Sequence, residues 1–146
     1  MPKVVRRGSS RLTAEQIGRL RVPFVQRARL SRGTEREELF LMDLGVAGAF
    51  AERERPLPVG EKVTLSFPLP GNDRPIRAVC RVAWWHAPGG RLVSKSLPAG
   101  IGLEFVDISE EDRARVRQHL LDYLGRDTMG RRFHRSWPLG EGEDGP

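Results

Sequence analysis

The chain is poor in the residues that build disulfide scaffolds, metal centres and membrane spans. Cys80 is the sole cysteine among 146 residues, which excludes an internal disulfide framework and a zinc site of the multi-cysteine kind. The three histidines, His86, His119 and His134, are far apart and share no metal-ligand spacing, so no metal is expected. Unbroken apolar runs extend only a few residues, too short for a transmembrane helix. The opening MPKVVRRGSSR is basic but leads into no apolar stretch, so it does not read as a secretory signal, and a cytoplasmic protein is expected. No serine or cysteine lies in a nucleophile elbow, and no GxxxxGK[ST] run is present to cradle phosphates. Glu35, Glu37 and Glu38 read as solvated hairpin charges, and the sum of these absences is a protein that is not an enzyme.

Charge is abundant, and its placement is uneven. The net charge is +6, but residues 1–32 carry nine basic side chains against Glu15 alone, a balance of +8 that leaves −2 for the other 114 residues. Arginine heavily outnumbers lysine, and its planar fork suits bidentate contact with phosphates and stacking on bases. Such a segment fits an anionic partner (nucleotide, nucleic acid, acidic protein surface or lipid) or is a solvated arm.

Along the chain, Thr13-Ala14-Glu15-Gln16 has the residues of a helical capping box. From Val22 the period becomes two: Phe24, Ala28 and Leu30 share one parity, as a half-buried strand requires. Ser31-Arg32-Gly33-Thr34 reads as a hairpin connection into a second strand around Glu37–Met42, and a third short strand follows at Ala49–Glu52. Beyond the Pro56–Gly60 turn, Val63, Leu65, Phe67 and Leu69 alternate with polar or small residues. The stretch PIRAVCRVAWW is the most regular: Ile76, Ala78, Cys80, Val82 and Trp84 face one way, Arg77, Val79, Arg81, Ala83 and Trp85 the other. Cys80 therefore reads as a buried thiol. Of the paired tryptophans, Trp84 is expected inside and Trp85 outside, covered by the helix, a tail, a ligand or a partner. Gly100–Val106 reads as the last strand.

The period then changes to that of a helix. Ser109 and Asp112 resemble a capping box, and Val116, Leu120, Leu121 and Leu124 recur at helical spacing up to a stop at Gly125. His119 falls on this helix as a surface residue. The remaining segment interleaves Arg131, Arg132, Phe133, His134, Arg135 and Trp137, a pattern suited to docking on a partner or nucleic acid, or to a disordered tail. Short strands at turn-punctuated intervals with a terminal helix define a small antiparallel barrel or sandwich.

The order of parts has a family likeness. R-x-P-F at Arg21–Phe24, D-x-x-x-x-G-A-F at Asp43–Phe50, P-L-P-V-G at Pro56–Gly60, G-I-G-L-E-F at Gly100–Phe105 and S-x-E-D at Ser109–Asp112 together resemble a PilZ domain over about residues 19–125. The resemblance implies a six-stranded antiparallel barrel with a C-terminal helix, and a bacterial signalling role built on the second messenger cyclic di-GMP. It frames the chain as a basic flexible arm (1–18), the domain (19–125) and a disordered tail (126–146).

It also implies a two-part ligand site: R-x-x-x-R before the first strand and [D/N]-x-S-x-x-G after the second. Here Arg21 takes the second arginine position, and the first falls on Ile17, with Arg19 nearby. Arg7 and Arg11 spell R-x-x-x-R, ten residues too early, and contribute only if the intervening chain loops. Asp43 and Gly48 stand in place, while Gly45 occupies the serine position. The ligand-site residues are thus Arg19, Arg21, Asp43, Gly45 and Gly48, with Arg7 and Arg11, and the partner-contact residues are Trp85, Phe133 and Trp137. The reading is a non-enzymatic adaptor that works through an unidentified protein partner, with cyclic di-GMP as a weakened or lost regulatory ligand and no other cofactor. The alternatives are a working cyclic di-GMP receptor whose arm orders on binding, and nucleic-acid binding through the basic ends.

Overall fold

The computed structural model describes residues 4–7, 10–71, 73–87 and 98–134, with side chains for 13–71, 73–87 and 98–126. Its elements in chain order are β1 (Val4–Arg7), β2 (Ser10–Thr13), α1 (Ala14–Arg19), β3 (Val22–Arg32), β4 (Glu35–Leu44), β5 (Gly48–Glu52), β6 (Lys62–Phe67), β7 (Ile76–His86), β8 (Gly100–Ile108) and α2 (Glu110–His134). The last six strands close into an antiparallel barrel in the order β3-β4-β5-β8-β7-β6, sealed where β6 pairs back onto β3. Closure leaves these strands without free edges.

The alternation seen in the sequence is what fills the barrel. Val22, Phe24, Ala28 and Leu30 of β3, Leu39 and Leu41 of β4, Val63, Leu65 and Phe67 of β6, and Ile76, Ala78, Cys80 and Val82 of β7 all point inward and join one core. Val116 and Leu120 of α2 complete it, with Tyr123 packed against its margin. Each large side chain removed from water here contributes about 1.5–3 kcal/mol.

In β7 the structure reverses one expectation. Val82 faces Leu103 across the ladder and Trp84 faces Gly102, so Ala83 is the extra residue of a bulge. One inserted residue flips the parity of everything beyond it. Trp84 therefore lies outside, 41% exposed, while Trp85 is half-buried against the core.

The two helices follow their caps. In α1 the Gln16 N–H donates to Thr13 Oγ1 at 3.0 Å and the Thr13 N–H to Gln16 Oε1 at 2.9 Å, the reciprocal box the sequence spells. At α2 the Asp112 N–H donates to Ser109 Oγ at 3.0 Å, but the Asp112 carboxylate does not close a box. It is 4% exposed and instead accepts from the Arg77 N–H at 3.2 Å and from Arg115 Nη1 at 2.9 Å, joining the helix to β7. Arg74 adds an ion pair to Glu111 at 2.6 Å. The helix passes through Gly125 to His134 rather than stopping there. A helical glycine is tolerated at about 1 kcal/mol, and no proline follows before Pro138. His119 is half-buried, its ring edge-on to Phe24 at 5.2 Å, and is not the surface residue expected.

Candidate functional site at the Asp43–Gly48 turn

Two bulges shape the rim where β3, β4 and β5 meet. The β3–β4 register shifts between Pro23 and Gln26, and the β4–β5 register shifts between Leu41 and Asp43. Asp43 is thereby set opposite Pro23 on one side and Phe50 on the other. Its Oδ1 accepts from the Phe50 N–H at 3.0 Å and from Arg21 Nη1 at 3.1 Å. One carboxylate oxygen thus satisfies a strand amide and holds the residue that enters β3. Arg21 and Asp43 side chains are 40% and 34% exposed, so the pair is reachable from solvent.

The turn that follows is closed by the Gly45 N–H donating to the Gly48 carbonyl at 2.8 Å, and it is tied to β8 by the Phe105 N–H donating to the Ala47 carbonyl at 2.8 Å. Gly48 is required by packing: a Cβ there would collide with the Leu103 backbone carbonyl across the β5–β8 ladder. Gly45 is crowded from the other side. A Cβ on it would stand 2.7 Å from the Leu20 carbonyl oxygen and 2.9 Å from Arg21 Cδ. The space a serine side chain would need is taken by the chain entering β3.

Of the residues the sequence nominated, the structure brings together Arg21, Asp43, Gly45 and Gly48. Arg19 is placed on exposed α1, where its ion-pair partner is Glu15 at 3.3 Å. Ile17, at the register of the missing arginine, is buried at 5% exposure. Arg7 and Arg11 belong to the β1–β2 hairpin, in which Arg6 pairs with Arg11 and Arg7 with Ser10. The side chains of Arg7, Arg11 and Phe133, and the whole of Trp137, lie outside the described residues.

Sequence reasoning missed a row of residues that extends from this turn. Asp43 faces Phe50, Phe50 faces Gly102, and Gly102 faces Trp84 on successive strands β4, β5, β8 and β7. The Trp84 indole lies over Gly102, where any Cβ would strike it, and stacks on the Phe50 ring at 5.2 Å and 18°. His86 meets the same ring edge-on at 6.5 Å. The signal was present in Gly100-Ile101-Gly102: alternate glycines on one strand face mark where neighbouring rings lie against backbone.

Arg21 offers a guanidinium with donors beyond the one directed at Asp43. Cys80 has its thiol pKa pushed up to about 12 by burial, which disfavours the nucleophilic thiolate. Among the described residues no cluster of three or more His, Cys, Asp or Glu side chains suits a metal ion, and no helix is long and apolar enough to cross a membrane.

The class of protein is thus a closed six-stranded antiparallel barrel with a C-terminal helix, carrying an arginine, an aspartate and a glycine turn at its rim. The chain belongs to the PilZ domain family, whose model matches residues 6–122. The matched residues begin within β1 and include β2 and α1. Among solved structures it resembles the Bacillus subtilis inhibitor of motility (MotI/DgrA), with TM-score 0.63 and 17% identity over 80% of this chain and 54% of that one. It also resembles Escherichia coli YcgR in complex with c-di-GMP, with TM-score 0.56 and 13% identity over 77% of this chain and 47% of that one. The isolated PilZ domain of YcgR with c-di-GMP gives TM-score 0.55 and 14% identity, covering 75% of this chain and 91% of that one. The chain spans about half the length of MotI and of intact YcgR. No curated protein sequence matches it significantly.

Proposed function

We propose that this protein is a non-enzymatic signalling adaptor of the PilZ type that acts through protein–protein contact, with cyclic di-GMP binding weakened or lost. The observation that carries the reading is the contact of Arg21 with Asp43 across Gly45. The acid that would accept from a guanine already commits its Oδ1 to Arg21 and to the Phe50 N–H. The serine hydroxyl is absent at Gly45, and the first arginine position holds the buried Ile17.

Loss of a charge-assisted contact and of a neutral hydrogen bond removes roughly 1.5–3 and 0.5–1.5 kcal/mol. Together these correspond to about 30- to 2,000-fold in affinity. A micromolar receptor weakened by that factor responds little to micromolar ligand.

Calorimetric titration of the full chain with cyclic di-GMP tests the proposal. The expected result is no saturable binding in the micromolar range. Micromolar binding that disappears in Arg21→Ala would overturn it in favour of a working receptor. Trp84, exposed and in line with Asp43, is the aromatic on this face best placed to meet a protein partner.

A further inference from the structure

The cations on most of the barrel surface are matched by acids. Arg21 pairs with Asp43, Arg32 with Glu61, Arg53 with Glu37, Arg74 with Glu111 and Arg81 with Glu104. The outer face of β3 and β4 breaks this pattern. Arg27 and Arg29 share the single carboxylate of Glu38, at 3.5 and 3.8 Å, and both are more than half exposed. Arg36, two residues from Glu38 on β4, and the Arg77 side chain have no acidic partner among the described residues, as is true elsewhere on the barrel of Arg55 and Lys62. Arg29 faces Ser66 on β6 and Ser66 faces Arg77 on β7, so a small hydroxyl residue separates two arginine-bearing strands. A trough of about 320 Å³ runs there, lined by Arg27, Arg29, Glu38, Ser66 and Pro68 among others. At its other end the face turns apolar: Val25 is 69% and Phe40 41% exposed, with the Arg27 guanidinium 5.5 Å from the Phe40 ring centre.

We infer that this face is a docking surface for an acidic, extended segment of a partner protein that carries an apolar anchor. Arg27 and Arg29 stand two residues apart on one strand face, about 6.8 Å along the chain. That is the repeat of alternate side chains in an extended peptide, so carboxylates at alternate positions meet both guanidinium groups. Val25 and Phe40 take the apolar residue next to them. Glu38, set among the arginines, opposes a continuously charged phosphate backbone more than a peptide whose carboxylates alternate with neutral residues. The inference rests on the adaptor reading and gives its partner a chemistry. It involves neither Arg21 nor Asp43, so a cyclic di-GMP titration and the test below succeed or fail independently.

The test is an NMR titration of the ¹⁵N-labelled full chain with a synthetic peptide that alternates glutamate with serine and ends in phenylalanine. Saturable shifts are expected at residues 25–29, 36–40 and 64–66. Affinity is expected to fall at least about tenfold in Arg27→Ala/Arg29→Ala and to rise in Glu38→Gln, with steep weakening by salt. Arg27, Arg29 and Glu38 are all more than half exposed, so the variants are expected to keep the wild-type amide spectrum elsewhere. Absence of saturable shifts, shifts confined to the basic residues 4–12, or unchanged affinity in the double variant would overturn the inference. Tighter binding of an oligothymidylate to the same residues would overturn it too, and would assign the face to nucleic acid.

Discussion

Arg21 and Asp43, 22 residues apart in sequence, meet at 3.1 Å, and the arginine's Cδ stands 2.9 Å from where a side chain on Gly45 would begin. The two partners are not equivalent. Arg21 contributes a part-exposed ion pair, of about 0.2–1 kcal/mol. Asp43 also accepts the Phe50 N–H, which is part-buried and left without that acceptor on truncation. Arg21→Ala is therefore expected to lower stability by less than about 1 kcal/mol and Asp43→Ala by about 1–3 kcal/mol. Urea denaturation of both variants checks the order, and equal losses would show that the Phe50 N–H does not depend on the carboxylate.

The two glycines of the turn are expected to respond differently to a methyl group. At Gly48 the obstacle is the Leu103 carbonyl, fixed in the ladder between β5 and β8, so Gly48→Ala is expected to abolish stable folding. At Gly45 the obstacles are Leu20 and Arg21 in the chain entering β3, of which the arginine side chain can swing away. Gly45→Ala is expected to fold with a loss of about 1–3 kcal/mol. Gly45→Ser, which restores the hydroxyl but displaces the same segment, is expected to leave the cyclic di-GMP titration blank. Recovery of micromolar binding in that variant would place the defect in the hydroxyl alone.

How much of this was legible depends on the range of the interaction. The strands of the barrel were readable because burial on one face imposes a period of two, as in Val63, Leu65 and Phe67. The capping box of α1 was readable because Thr13 and Gln16 are local partners. Bulges were not: nothing about Ala83 marks it as the extra residue, yet it exchanges the faces of Trp84 and Trp85. The site was readable as a set of residue types and not as a geometry. Asp43 and Gly48 stood out in sequence, but the contact of Arg21 with Asp43 depends on two register shifts, and the crowding of Gly45 on the path of Leu20.

The exchange of the tryptophans is directly measurable. Trp85 packs on the core, so Trp85→Ala is expected to cost about 3 kcal/mol, towards the low end for a large aromatic because the ring is only half-buried. Trp84 is exposed and stacked on Phe50, and its loss is expected to cost about 0.5–1.5 kcal/mol. In variants retaining one indole of the pair and lacking Trp137, iodide is expected to quench Trp84 strongly and Trp85 weakly. The reverse order would show that β7 lacks the bulge.

Asp112 ties α2 to the barrel through the Arg77 N–H and Arg74, and it also holds Arg115 of its own helix. Removing it leaves the Arg115 guanidinium, 13% exposed, beside an amide that has lost its acceptor. Asp112→Ala is expected to destabilise by about 3–5 kcal/mol, the range for stranding one member of a buried pair. Glu111→Ala, which removes only the exposed contact with Arg74, is expected to stay within about 1 kcal/mol of wild type. Thermal melts of the two variants separate a bolt from a surface pair, and similar small losses would deny Asp112 that role.

His119 gives the fold a pH dependence of definite sign. Burial is the main cause lowering its pKa below the ordinary 6.5, followed by the nearby Arg126 cation, with Asp122 opposing. The unfolded chain then takes up a proton at a pH where the folded chain still resists it. Stability from this residue is complete above about pH 6.5 and is lost as the pH falls through the lowered folded value. Glu37 and Glu61, held below the ordinary 4.5 mainly by hydrogen bonds from Arg53 and Arg32, shed their contributions only in a lower window. Between those windows the slope of stability against pH that separates wild type from His119→Gln belongs to His119. Denaturation midpoints measured from about pH 7.5 down to about pH 5 are expected to fall more steeply for wild type. Parallel curves would mean that the imidazole titrates as freely in the folded chain as in the unfolded one, with Phe24 and Arg126 leaving its proton affinity unchanged.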